Sequence, residues 1–116
     1  MKRQPDEELT TITKCYDLVR ELTQRVGKFP RDFRFLLGDR ILRNAYDVLD
    51  LLIEAKYTRQ KVELLNRANL KLEQMRFQLR PAHDEKLLSH QAYGHVSAQI
   101  DEVGRLVGGW RKKVTA

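Results

Sequence analysis

The chain has too little cysteine, proline, glycine and unbroken apolar sequence to be a disulfide scaffold, a loop-rich domain or a membrane span. Its 116 residues contain one cysteine, Cys15, which excludes an intrachain disulfide framework and any metal site built on several thiolates. There are only three prolines and six glycines, against 41% apolar and 33% charged residues. That balance is too apolar and too periodic for a disordered tail and, with much Leu, Glu, Lys, Arg and Gln, favours helix. No apolar run approaches the ~18–20 residues that cross a bilayer. The opening Met1-Lys2-Arg3-Gln4-Pro5-Asp6-Glu7-Glu8 lacks the apolar core of a signal peptide. A soluble, cytoplasmic protein without a membrane role is expected.

Enzymatic constellations are also missing. There is no glycine-rich phosphate loop and no Gly-x-Ser-x-Gly, and Cys15 has no histidine near it in sequence. It reads as a small, partly buried residue rather than a nucleophile. His90 and His95 are five apart, whereas two ligands on one helix face need three or four, and no Glu-x-x-His pair occurs. Asp101 and Glu102 are adjacent and point apart, so Asp101 reads better as an i,i+4 ion pair with Arg105. Neither catalysis, a metal nor a cofactor is expected.

Four amphipathic helices are present. The first is expected over about 7–26, N-capped by Asp6 with Glu7 and Glu8 in the first turn. Its apolar face reads Leu9, Ile12, Tyr16, Val19, Thr23 and Val26, and Gly27 and Pro30 stop it. The second, over 31–57, carries Leu37, Ile41, Ala45, Val48, Leu52 and Ala55, widened by Leu49 and Ile53. The third, over 59–80, carries Leu65, Ala68, Leu72, Met75 and Leu79 and is expected to end at Pro81. After a loop and an N-cap at Ser89, the fourth runs over 90–113 with Tyr93, Val96, Ile100, Val103, Val107 and Trp110. No segment alternates with period two. One domain over 1–116, an all-α, up-down-up-down antiparallel four-helix bundle, follows from the short links.

The charge is uneven. Lys and Arg number 22 against 16 Asp and Glu, a net +6 with a pI near 9.7, which favours polyanions or an acidic partner. At about 100° per residue, Gln60, Arg67, Lys71, Gln74 and Gln78 of the third helix share an outward strip about 60° wide that holds no acid. Such a strip suits phosphate and sugar contacts, or is simply a solvated face. Arg40 and Arg43 on the second helix, and Arg76 and Arg80 on the third, are further phosphate candidates; the last two lie nearer the apolar stripe. On the second helix Arg31, Arg40 and Arg43 precede Asp47, Asp50 and Glu54, against the helix dipole. Arg43 and Asp47 suit an i,i+4 pair, and the remaining acids look for cations on another copy or on the third helix. Gly104 and Gly108 are one turn apart and read as a point of close helix approach. Trp110, beside Arg111, Lys112 and Lys113, is either a core anchor or a stacking point for nucleic acid.

Three stretches resemble a known family. They are Leu65-Asn66-Arg67-Ala68-Asn69-Leu70-Lys71-Leu72-Glu73-Gln74-Met75-Arg76-Phe77, then Lys86-Leu87-Leu88-Ser89 with Tyr93, and Ile100-Asp101-Glu102-Val103-Gly104-Arg105-Leu106-Val107-Gly108-Gly109-Trp110. Together they resemble the accessory variability determinant (Avd) proteins of diversity-generating retroelements, over roughly residues 8–113 and most strongly from Asn66 onward. The last stretch is shared with a wider set of bundles, including proteins encoded in intervening sequences of bacterial ribosomal RNA genes. The resemblance implies a basic, non-enzymatic, ring-like homopentamer that binds a reverse transcriptase, its template RNA and nucleic acid generally, and supports mutagenic reverse transcription and retrohoming. An RNA- or ribosome-associated bundle and a purely structural homo-oligomer are the rival expectations.

Overall fold

The computed structural model describes residues 6–115. Helix α1 spans Glu7–Gly27. A second rod is built from α2 (Arg31–Phe33), a π-helical turn (Arg34–Gly38) and α3 (Asp39–Tyr57) without a break. Helices α4 (Lys61–Asp84) and α5 (His90–Thr115) complete the bundle. In cross-section the order is α1, α3, α4, α5, with α1 closing back on α5. Cross-helix contacts fix antiparallel neighbours: Lys56 with Asp6 at 2.9 Å, Lys71 with Asp47 at 3.1 Å, and Asn66 with Arg111 at 2.6 Å. The described residues form an all-α, up-down-up-down four-helix bundle.

The helix ends follow local chemistry. Asp6 Oδ1 accepts from the Leu9 N–H at 3.0 Å. This bond, followed by the Lys56 ammonium, holds the Asp6 carboxyl below its ordinary range. Ser89 Oγ accepts from the Ala92 N–H at 3.0 Å at the start of α5. Lys61 Nζ donates to the carbonyls of Ala55 (2.6 Å) and Lys56 (3.1 Å), so the first residue of α4 caps the end of α3.

Two ends differ from expectation. Gly27 is not a left-handed cap; α1 closes through a tightened turn in which Lys28 and Phe29 donate to Arg25 and Val26. Pro81 does not end α4, which continues to Asp84. It stops in a Schellman closure, with Leu87 N–H on the Ala82 carbonyl (2.8 Å) and Lys86 N–H on that of His83 (3.0 Å). Lys86 takes the left-handed conformation there, φ 61°.

The inward face of α1 is also rotated from the one expected. Thr11, Cys15, Leu18 and Leu22 are buried with Val19 and Val26, while Leu9, Tyr16 and Thr23 are exposed. Thr11 is buried at little cost because its hydroxyl donates back to the Glu7 carbonyl at 2.9 Å. On α3, Leu51 is buried and Ile53 exposed. On α4 and α5, Leu65, Ala68, Leu72, Met75, Leu79, Val96, Ile100, Val103, Val107 and Trp110 fill the core.

Candidate nucleic-acid interface

The outer meridian of α4, opposite its buried stripe, carries Phe77, 63% exposed. Of the expected strip, Gln60 stands before the first turn of α4 and is not part of the helix face, whereas Arg67, Lys71, Gln74 and Gln78 lie on one flank of that meridian, the flank beside α3. There an acid does reach it. Lys71 Nζ lies 3.1 Å from Asp47 Oδ2, and Gln78 Oε1 accepts from Asn44 Nδ2 at 3.2 Å. Asp47 therefore belongs to Lys71, and Arg43 pairs with Asp39 at 2.9 Å instead of with Asp47. A projection of α4 alone contains no acid because the acid comes from its neighbour. Asp50 and Glu54 have no cation within 4 Å among the described residues.

These contacts line a groove between α3 and α4, about 460 Å³ in volume, that brings together Arg40, Arg43, Asn44, Asp47, Gln74, Phe77 and Gln78. Four residues singled out on two separate helices, Arg40, Arg43, Gln74 and Gln78, thus form one surface. Arg40 has no carboxylate within 4 Å among the described residues, and the Arg43–Asp39 pair is largely solvent-exposed. Exposed pairs contribute little and exchange readily for a phosphate. Arg67 is exposed and unpaired, one turn beyond Lys71.

The opposite flank faces α5. Arg76 is held by Asp101 and lies 2.8 Å from Glu73, a contact close enough for an ion pair but not aligned as a hydrogen bond. The Asp101 hydrogen bond raises the already high affinity of the guanidinium for its proton. Asp101 therefore does not pair with Arg105, and Arg76 is a strut between helices. Arg80 lies free on the same flank, its guanidinium carbon 5.7 Å from the centre of the Phe77 ring.

Three further sequence candidates stand elsewhere. A Cβ on Gly104 would meet only the Arg76 guanidinium at 3.6 Å, and one on Gly108 would meet nothing within 4 Å. Neither glycine brings two helices of this chain together. Trp110 is a core residue with its indole Nε1 unpartnered, on a cleft of about 900 Å³ between α1 and α5 and away from the basic groove. Among the described residues no three His, Cys, Asp or Glu side chains cluster as a metal would need. No described helix is long and apolar enough to cross a membrane. Phe77, Tyr93 and Asn44 were not singled out from sequence as interface residues. The available signal was Phe77 itself, an aromatic opposite the buried stripe of its own helix.

Residues 9–114 match the model of the bAvd-like family. The chain belongs to that family. No curated protein matches it. A solved structure from Bacteroides thetaiotaomicron, described as a protein of unknown function from the S23 ribosomal protein family, superposes with a TM-score of 0.81 at 15% identity. The superposition covers 91% of this chain and 98% of that one. At that identity the likeness shows a common fold. In this bAvd-like bundle, free cations and amides gather along α3 and α4, on either side of one exposed aromatic ridge.

Proposed function

We propose that this bAvd-like bundle is a non-enzymatic accessory protein of a diversity-generating retroelement, working in the cytoplasm. It binds template RNA and cDNA through the α3–α4 groove and holds them with the element's reverse transcriptase during mutagenic synthesis. The observation that carries this reading is the convergence of Arg40, Arg43, Gln74 and Gln78 on one groove, in a chain of net charge +6. Guanidinium groups take phosphate oxygens without regard to sequence, and amides accept or donate to sugars and base edges. Catalysis stays with the polymerase, and the bundle contributes by assembly.

Assembly into a ring of five copies belongs to the same reading. Its support is an apolar seam between α1 and α3. Leu9 and Ile53 are 52% and 41% exposed, and Tyr16 and Tyr46 are 51% and 49% exposed. Unpaired Asp50 and Glu54 flank this seam, and unpaired Arg31 and Arg34 stand toward the other end of the same rod. A basic end that meets an acidic end of the next copy head to tail makes a heterologous contact, and such contacts form a ring when the rotation closes.

The test is affinity for a structured RNA and a DNA duplex at about 50 and 200 mM salt, where binding through several phosphates falls by orders of magnitude. Arg40→Glu with Arg43→Glu is expected to weaken binding to unrelated sequences alike and to lower the salt slope by about two, with helical content unchanged. Unchanged affinity in the double variant removes the groove from the interface. Co-purification with a reverse transcriptase, rather than co-sedimentation with ribosomes, separates the retroelement role from a ribosomal one.

A further inference from the structure

Phe77 is an exposed aromatic in surroundings that do not explain it as a protein contact. The next exposed apolar residue on the α4 meridian is Leu70, two turns away and about 10 Å along the axis, with Glu73 and Gln74 between them. There is no continuous apolar patch. The flanks of Phe77 are polar on both sides: Arg40, Arg43 and Asn44 across the α3–α4 groove, and Arg80 over the ring itself.

On the α5 side a second cleft, about 350 Å³, opens beneath Phe77 and Arg80. Its far wall carries Tyr93 and Ser97, and its floor carries Arg76 with Glu73. The Tyr93 ring is stacked on His83, at 4.4 Å between centroids and 14° between planes. Arg76 is fixed by Asp101. Two aromatic side chains thus line one cleft, backed by an Arg76 whose guanidinium is paired with Asp101 while its Nε has no hydrogen-bond partner, and with a free guanidinium at its mouth.

We infer that this cleft takes an unpaired base of single-stranded RNA or DNA, which stacks on Phe77 beside the Arg80 guanidinium while the flanking phosphates lie on Arg40, Arg43 and Arg80. The inference rests on the nucleic-acid reading above and narrows it to a strand class. A base in a duplex offers only its edge in a groove, whereas an unpaired base offers its face. Stacking on an aromatic ring tolerates any base, because every base has such a face. The groove cations then set the salt dependence, and Phe77 sets the preference for unpaired strands.

The experiment compares the full chain with Phe77→Leu and Phe77→Trp, using a single strand that carries a fluorescent purine analogue and the corresponding duplex, at low and moderate salt. Leucine keeps an apolar side chain at an exposed site and removes the ring. Phe77→Leu is expected to lose about five- to hundredfold in single-strand affinity and most of the fluorescence quenching. Its salt slope and duplex affinity should stay unchanged, and Phe77→Trp should restore binding. Equal loss on strand and duplex, or no loss on either, overturns the stacking site. Steeply salt-dependent binding that ignores Phe77 leaves the electrostatic reading standing without it, and absence of any binding by the unaltered protein overturns both. Intact nucleic-acid binding with a lost reverse transcriptase or a changed oligomer mass makes Phe77 a protein contact and also overturns the inference.

Discussion

Gly38 is the glycine whose missing side chain the fold uses. It lies buried at the end of the π-helical turn, and a Cβ there would stand 2.5 Å from Val26 Cγ1. Val26 is β-branched and buried, so its χ1 is strongly restricted and it yields poorly. Gly38→Ala is therefore expected to destabilise the protein by about 1–3 kcal/mol through overpacking, read as a lower urea midpoint. An unchanged midpoint would mean that the end of α1 yields without cost. Cys15 shows the opposite case, a residue whose chemistry burial cancels. Fully inside the core, its thiol is pushed up to about 12 by desolvation, so it stays protonated and non-nucleophilic at neutral pH.

Among the elements, the end of α4 and the π-helical turn depart furthest from regular geometry. Pro81 has no N–H to give, yet its carbonyl accepts from Glu85 at 2.8 Å, and Ala82 one residue on is buried. Burial of Ala82, together with half-burial of Leu87 beyond the Schellman closure, keeps the last turn helical. The closure asks for a left-handed residue and receives Lys86. Lys86→Gly should raise stability by about 0.5–1 kcal/mol, because glycine adopts that conformation without a Cβ clash. Thermal unfolding checks this, and a lower midpoint would show that the lysine side chain outweighs the backbone strain. In the π-helical turn the Asp39 N–H reaches back to the Arg34 carbonyl, five residues earlier. The extra residue turns Gly38 inward and leaves Phe35 and Leu36 more than 70% exposed.

For the molecule as a whole, the proposed ring needs one face that meets another copy. The α1–α3 seam is apolar and flanked by unpaired charge, whereas the Gly108 flank of α5 is open space. If copies meet along the seam, Gly108→Ala should leave the mass in solution unchanged and raise stability by roughly 0.5–1 kcal/mol, as alanine does in a helix interior. Light scattering after size exclusion reads the first and a thermal melt the second. A fall in mass would instead place the contact on α5.

Helix number, approximate helix bounds, the bundle class and the basic balance were legible in the sequence, because each depends on local period, caps and composition. The stripes of α4 and α5 were legible for the same reason, each helix having one dominant apolar face. The stripe of α1 was not, because Leu9 and Tyr16 compete with Cys15, Leu18 and Leu22, and only the neighbours on either side decide between two overlapping faces. The candidate groove was half legible. Arg40, Arg43, Gln74 and Gln78 stand out on separate helices, but tertiary packing joins them into one groove and places Phe77 at its edge. Packing also assigned the charges, giving Asp47 to Lys71 and Asp101 to Arg76 in place of partners on the same helix. An i,i+4 rule sees one helix at a time, whereas side chains on adjacent antiparallel helices lie as close as successive turns, and the rotation of each rod decides which of them meet.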